Sequence, residues 1–152
     1  MQNISKEEEK IIIDSFSKKE SEDAMGRIKK IILDVKNEIG LYKVVVDFNG
    51  DLHSLSQHIS SSCNITINSC AELSRILWFL VKPKMDKERM IKNGVTHGIW
   101  LYYDFSCKHP THAKFNGVKF PLQSGVKSGI FKKTFPSQLV GCGCSIKPVL
   151  QF

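Results

Sequence analysis

Three cysteines and two histidines sit in two short clusters near the C-terminal end of the chain: Cys107-Lys-His109-Pro-Thr-His112 and Gly141-Cys142-Gly-Cys144. Thiolate and neutral imidazole are the donors that zinc prefers, four at a time and tetrahedrally arranged. A pair with one or two intervening residues lets a tight turn aim both side chains at one ion. His109, His112, Cys142 and Cys144 form such a quartet, with Cys107 as an alternative ligand. The spacing of Cys142 and Cys144 is tighter than the usual knuckle with two intervening residues. A packed thiol and imidazole cluster without metal is the competing reading. Two catalytic arrangements can also be drawn. One is a cysteine nucleophile, Cys107 with His109 and Asp104, where strand alternation would put Cys107 and His109 on one face. The other is a small nuclease using His109 or His112 as general acid and base. Neither has a second, independent marker, so a non-catalytic role is the reading preferred.

For the quartet to exist, two loops about thirty residues apart must meet side by side. The surrounding residues supply strands on which such loops can be mounted. His97 to Phe105 is a dense aromatic strand pattern, Asn116-Gly117 is a turn leading to the apolar Phe120, and Ser145 to Leu150 is again strand-like. Ahead of this β-rich part the pattern is helical. Ser5 and Glu8 fit a capping box, and apolar residues recur at three-to-four spacing to Val35, with a break expected between Ser15 and Ser21 and a stop at Gly40. This N-terminal stretch is either core packing or a helix that docks on something larger. Tyr42 to Phe48 reads as a strand closed by the Asn49-Gly50 turn. Asp51 to Ser62 is ambiguous, and its His53 and His58 read as exposed polar residues. Ser69 to Asn93 reads as a helix kinked or split at Pro83 and stopped at Asn93-Gly94. The expected fold is α+β in one domain, residues 1–93 mainly helical and residues 94–152 β-rich.

The 152 residues suffice for a buried core, and 41% hydrophobic with 24% charged residues is ordinary for a soluble globular chain. No apolar run reaches the length of a membrane span, and the N-terminus lacks the layout of a signal peptide, so a cytosolic product is expected. An odd count of five cysteines excludes complete pairing into disulfides and suits a reducing compartment. The net charge of +7 is unevenly placed: residues 1–81 carry ten basic and twelve acidic side chains, residues 82–152 twelve and three. That asymmetry points to a polyanion or an acidic protein surface, or simply to a solvated lysine-rich face.

Taken in order, Trp100-Leu-Tyr-Tyr-Asp104, His109-Pro-Thr-His112, Asn116-Gly117-Val-Lys-Phe120, Phe135-Pro136 and Gly141-Cys142-Gly-Cys144 through Pro148 resemble the C-terminal part of phage Mu F-like head morphogenesis proteins. These are minor capsid proteins of tailed phages and prophages. The likeness covers roughly residues 94–152. His109 and Gly143 stand where the family often has arginine, and Ser137 stands where it has glycine after the proline. The resemblance implies a non-enzymatic role inside the procapsid, associating with the portal or other head proteins and aiding head assembly or DNA packaging. It also implies a location in the host cytoplasm during assembly and then in the virion head. Some members carry a cysteine pair at the sites matching His109 and His112, which implies a structural zinc on this quartet. The basic half would then face double-stranded DNA or an acidic capsid surface. Related modules also occur beside toxin domains, which keeps the nuclease alternative open.

Overall fold

The structure, a computed structural model, describes residues 1–16, 20–130 and 132–151. It is α+β, with helices first and small antiparallel sheets after them. The chain divides into two compact units, Met1–Val81 and Lys82–Phe152. The boundary falls where the charge balance changes.

The first unit is helical. α1 (Lys6–Phe16) begins at the expected capping box: Glu8 N–H donates to Ser5 Oγ at 3.1 Å, and Ser5 N–H donates to Glu8 Oε1 at 3.0 Å. α2 (Glu22–Lys36) is capped by Ser21 and buries Ala24, Ile28, Ile32 and Val35, one stripe at helical spacing. Residues 17–19, within the expected break, lie outside the described residues. α2 ends before Gly40, through a left-handed turn at Glu38 (φ 61°) whose amide bonds back to Val35 O. α1 and α2 are tied by a buried ion pair, Lys36 Nζ to Glu8 Oε2 at 2.7 Å.

Residues Tyr42–Phe48 form α3, not the strand that Val44 to Val46 suggested. Strand propensity expresses packing on a pleated neighbour, and among the described residues this unit has no strand. Val45 is instead fully buried among helices. The Asn49-Gly50 pair, which fits a hairpin turn, serves equally well as a helix stop: Asn49 is left-handed (φ 48°), and Asp51 caps α4 (Leu52–Cys63) by accepting from Ser54 N–H. His53 and His58 are exposed on α4.

α5 runs without a break from Ile67 to Lys92 and contains Pro83, so the proline does not split it. It starts two residues before Ser69. Leu73, Ile76, Leu77 and Leu80 are buried, as their spacing suggested. It ends as expected at Asn93-Gly94, where Gly94 (φ 83°) and Val95 donate to Ile91 O and Met90 O.

In the second unit the last residues of α5 lead to β1 (His97–Leu101), the centre of an antiparallel sheet. β2 (Lys119–Pro121) flanks it on one side and β5 (Ser145–Pro148) on the other. A 3₁₀ helix, Pro110–Phe115, precedes β2, and β3 (Val126–Lys127) with β4 (Lys133–Thr134) forms a separate hairpin. One face of the sheet is dry. Trp100, Phe120 and Leu122 are buried there with Phe115, Cys107, Cys142 and Cys144. Gly98 allows this closeness, since a Cβ there would meet Ile146 Cγ2 at 2.5 Å and Leu122 Cδ2 at 3.0 Å.

Among the described residues, no helix is long and apolar enough to cross a membrane.

Candidate metal centre

The loop from Tyr102 to His109 leaves β1 and folds back under the loop that precedes β5. Cys107 N–H donates to Tyr103 O at 2.9 Å, closing a turn that points the thiol inward. Three contacts then dock one loop on the other. Lys108 N–H donates to Gly141 O at 2.8 Å, Ser106 Oγ donates to Gly143 O at 3.3 Å, and His109 Nε2 lies 2.7 Å from Val140 O. The approach at Gly143 leaves no space for a side chain, because a Cβ there would stand 2.4 Å from Ser106 O.

Four ligand atoms converge where the loops meet. Those of Cys107, His112, Cys142 and Cys144 all lie within 4.8 Å of one another, and all four residues are buried. His112 Nδ1 is 3.6 Å from Cys107 Sγ, 3.5 Å from Cys142 Sγ and 3.9 Å from Cys144 Sγ. A tetrahedron with Zn–S of about 2.3 Å and Zn–N of about 2.0 Å has S···N edges of about 3.5 Å. Three thiols and one imidazole at that spacing fit a zinc ion.

Their surroundings fit it too. Ser137 N–H donates to Cys142 Sγ at 3.2 Å, the kind of outer contact that steadies a coordinating thiolate. Trp100 is fully buried, and its Nε1–H has no completed hydrogen bond. That N–H lies toward Cys144, where it favours the ionised sulfur. Thiolate binding to a cation would give this orphaned donor a stronger acceptor.

The thiols also shape one another's charge. S–H donors from Cys142 and Cys144 draw Cys107 far below the ordinary thiol range. The hydrogen bond with Cys107 pushes Cys142 up to about 11, and Cys107 and Cys142 together with burial push Cys144 higher still. The cluster as a group therefore yields one proton readily and resists losing the others, as interacting acids must.

Of the residues expected at the site, the structure brings His112, Cys142 and Cys144 together and adds Cys107, the alternative ligand. His109 does not join them. In a 3₁₀ helix, side chains three apart eclipse. His109, its cap, therefore stacks on His112, ring centres 5.0 Å apart at 24°, with His112 in turn 5.9 Å from Phe115. Two stacked imidazoles present parallel edges and do not converge on one point, and His109 Nε2 faces Val140 O. Cys107 lies in a turn outside any strand, so strand alternation does not apply to it.

The other motif residues hold this frame. Trp100 makes an edge contact with His112 at 5.5 Å and packs on Phe115 at 4.7 Å and Phe120 at 6.2 Å. Asn116 Oδ1 accepts from Tyr102 N–H at 3.1 Å, and Gly117 (φ 79°) donates to Trp100 O at 2.8 Å. Pro136 is buried, Pro148 pairs with Gly98 across β5 and β1, and Asp104 is exposed in the turn after β1. Ser137, which the sequence marks only as standing where glycine would follow the proline, is buried with φ 59° and bonds through Oγ to the carbonyls of Cys142 and Cys144. Its position directly after the proline was the available signal.

Cys63 and Cys70 lie in the first unit, their thiols raised chiefly by burial, and none of the five cysteines is disulfide-bonded. No protein-family model matches the chain, and no curated protein or solved structure does either.

Proposed function

We propose that the second unit is a zinc-stapled module of a phage or prophage minor head protein, acting in head morphogenesis by binding the portal or other head proteins. The supporting observation is the closed donor set: Cys107, His112, Cys142 and Cys144 are all protein ligands and all buried. A structural zinc takes four protein donors, whereas a catalytic one keeps a position open for water or substrate. The ion would supply no reaction here. It would fasten the loop after β1 to the loop before β5, in a unit whose sheet is only three strands wide. The ordered motifs from Trp100 to Pro148 supply the link to head proteins. A nuclease would have to offer a histidine to its substrate, and both His109 and His112 are turned inward and buried. The test is co-expression with portal and scaffold. Retention of this chain on portal or procapsid, lost when Cys142→Ser removes the staple, supports the proposal; a folded, metal-loaded chain that never associates with head components overturns it.

A further inference from the structure

The charge of the second unit has a place as well as a sum. In the β3–β4 hairpin, Lys127 and Lys133 are directly opposite in register, both exposed. Like charges so placed repel and weaken a strand pair. The hairpin nevertheless holds them there, through Ser128 Oγ with Thr134 Oγ1 at 2.8 Å and through Gly125, where a Cβ would meet Thr134 O at 2.8 Å. Lys119 joins them along one groove of about 280 Å³, floored by Phe120, Pro121 and Val126. On the sheet, Lys119 and Lys147 flank Ile99 in the same register row. Among the described residues, none of these four lysines has a carboxylate partner. The unit's acids are few, and Asp86 is occupied by Lys82 and Arg89.

We infer that this groove is a binding site for the phosphodiester backbone of a nucleic acid, with Lys119, Lys127 and Lys133 as its phosphate contacts and Lys147 extending the track. Unpaired cations crowded against an apolar floor are left without the counter-charge that would offset their repulsion, and a repeating anion supplies it. The cations are lysines, compact point charges suited to phosphate. The unit's one arginine, whose planar fork would match phosphate or carboxylate alike, is engaged by Asp86, which leaves the lysines as the available cations. The lysines rim a concavity, which admits a strand more readily than a flat bilayer. This inference does not rest on the head-protein reading: loss of portal association would leave it standing, and failure to bind DNA would leave that reading standing.

The probe is a fluorescein-labelled 30-base-pair DNA duplex titrated with the full chain across a salt series. Each phosphate contact contributes about 0.9 to the slope of log affinity against log salt. The expected slope has a magnitude of about 3 to 4. The double variant Lys127→Gln/Lys133→Gln lowers it by about two and weakens binding at least tenfold at low salt. Its melting temperature is unchanged or higher, because a repulsive pair is gone. Loss of a single charge at the end of α5, Lys92→Gln, changes affinity by less than about threefold and the slope by less than about one. A slope that the double variant leaves intact, an equal effect of Lys92→Gln, or binding to anionic vesicles but not to the duplex overturns the inference.

Discussion

Nδ1 of His112 stands 3.5 Å from Sγ of Cys142, although thirty residues separate the two in sequence. The contact joins the 3₁₀ helix before β2 to the turn before β5, and Cys107 and Cys144 complete the group around the same nitrogen. His109, equally buried and equally polar, takes a different part, bonding its ring to the backbone of the opposite loop.

The two histidines therefore separate by mutation. His112→Ala removes a donor, and zinc is lost to a mild competing chelator. His109→Ala keeps one zinc per chain with affinity about tenfold weaker, the usual size of an outer-shell effect. It also destabilises the unit by roughly 1–3 kcal/mol through the lost hydrogen bond and the space left behind. Chelator competition and thermal melts on both variants check this. Equal metal loss in the two would contradict the division of roles.

Gly143 supplies no ligand atom yet controls whether the loops can dock. Gly143→Ala drives a methyl against Ser106 O and separates Cys142 and Cys144 from Cys107, so zinc affinity falls by at least tenfold. Gly129→Ala, where the nearest atom is Lys132 Cβ at 3.8 Å, leaves both affinity and stability unchanged. The pair compares a close backbone approach with open space, and isothermal titration with zinc reads the difference.

Much of this arrangement was legible in the sequence. The β-rich C-terminal part, the meeting of two loops and three of the four donors followed from residue type and spacing. The fourth, Cys107, was legible only as an alternative ligand. The regular spacing of His109 and His112 suggested a chelating pair, but spacing cannot tell a turn that converges two rings from a 3₁₀ turn that stacks them. Tyr42–Phe48 was misread for a similar reason. Its β-branched residues favour a strand only where another strand is present to receive them, and Val45 is enclosed by helices instead.

Acidity acts on the metal-free unit in a direction that the thiols set. The fold keeps the Cys142 proton up to about 11, whereas an ordinary thiol loses it near 9.0. In that window the folded state binds more protons than the unfolded one, so stability falls as pH rises from about 9 toward 11. With metal bound, the same thiols are already ionised and the trend at high pH disappears. Acid destabilises the loaded form because protons compete for the sulfurs. It destabilises the metal-free form through Cys107, whose lowered proton affinity adds stability that is lost as pH falls. The two forms therefore differ in sign only above about pH 9. Urea midpoints of both forms between about pH 9 and 11 check the difference. Parallel pH profiles for the metal-free and zinc-loaded forms would contradict it.

In the first unit, Glu8 and Lys36 are both almost wholly buried and form an ion pair at 2.7 Å, so removing one leaves the other's charge without its counter-charge. Glu8→Ala strands the ammonium and breaks the capping box, costing about 3–5 kcal/mol. The double replacement Glu8→Leu/Lys36→Met, which removes both charges, recovers most of that loss. A double-mutant cycle on denaturant unfolding shows a large coupling between the positions if this is right, and independent effects if it is not.

X-ray absorption at the zinc edge, on protein purified without a histidine tag, tests the metal centre most directly. The predicted spectrum is one zinc per chain with three sulfurs at about 2.3 Å and one nitrogen at about 2.0 Å. A shell of two sulfurs and two nitrogens would put His109 in place of Cys107, and a cooperatively folded protein that binds no zinc would remove the staple altogether.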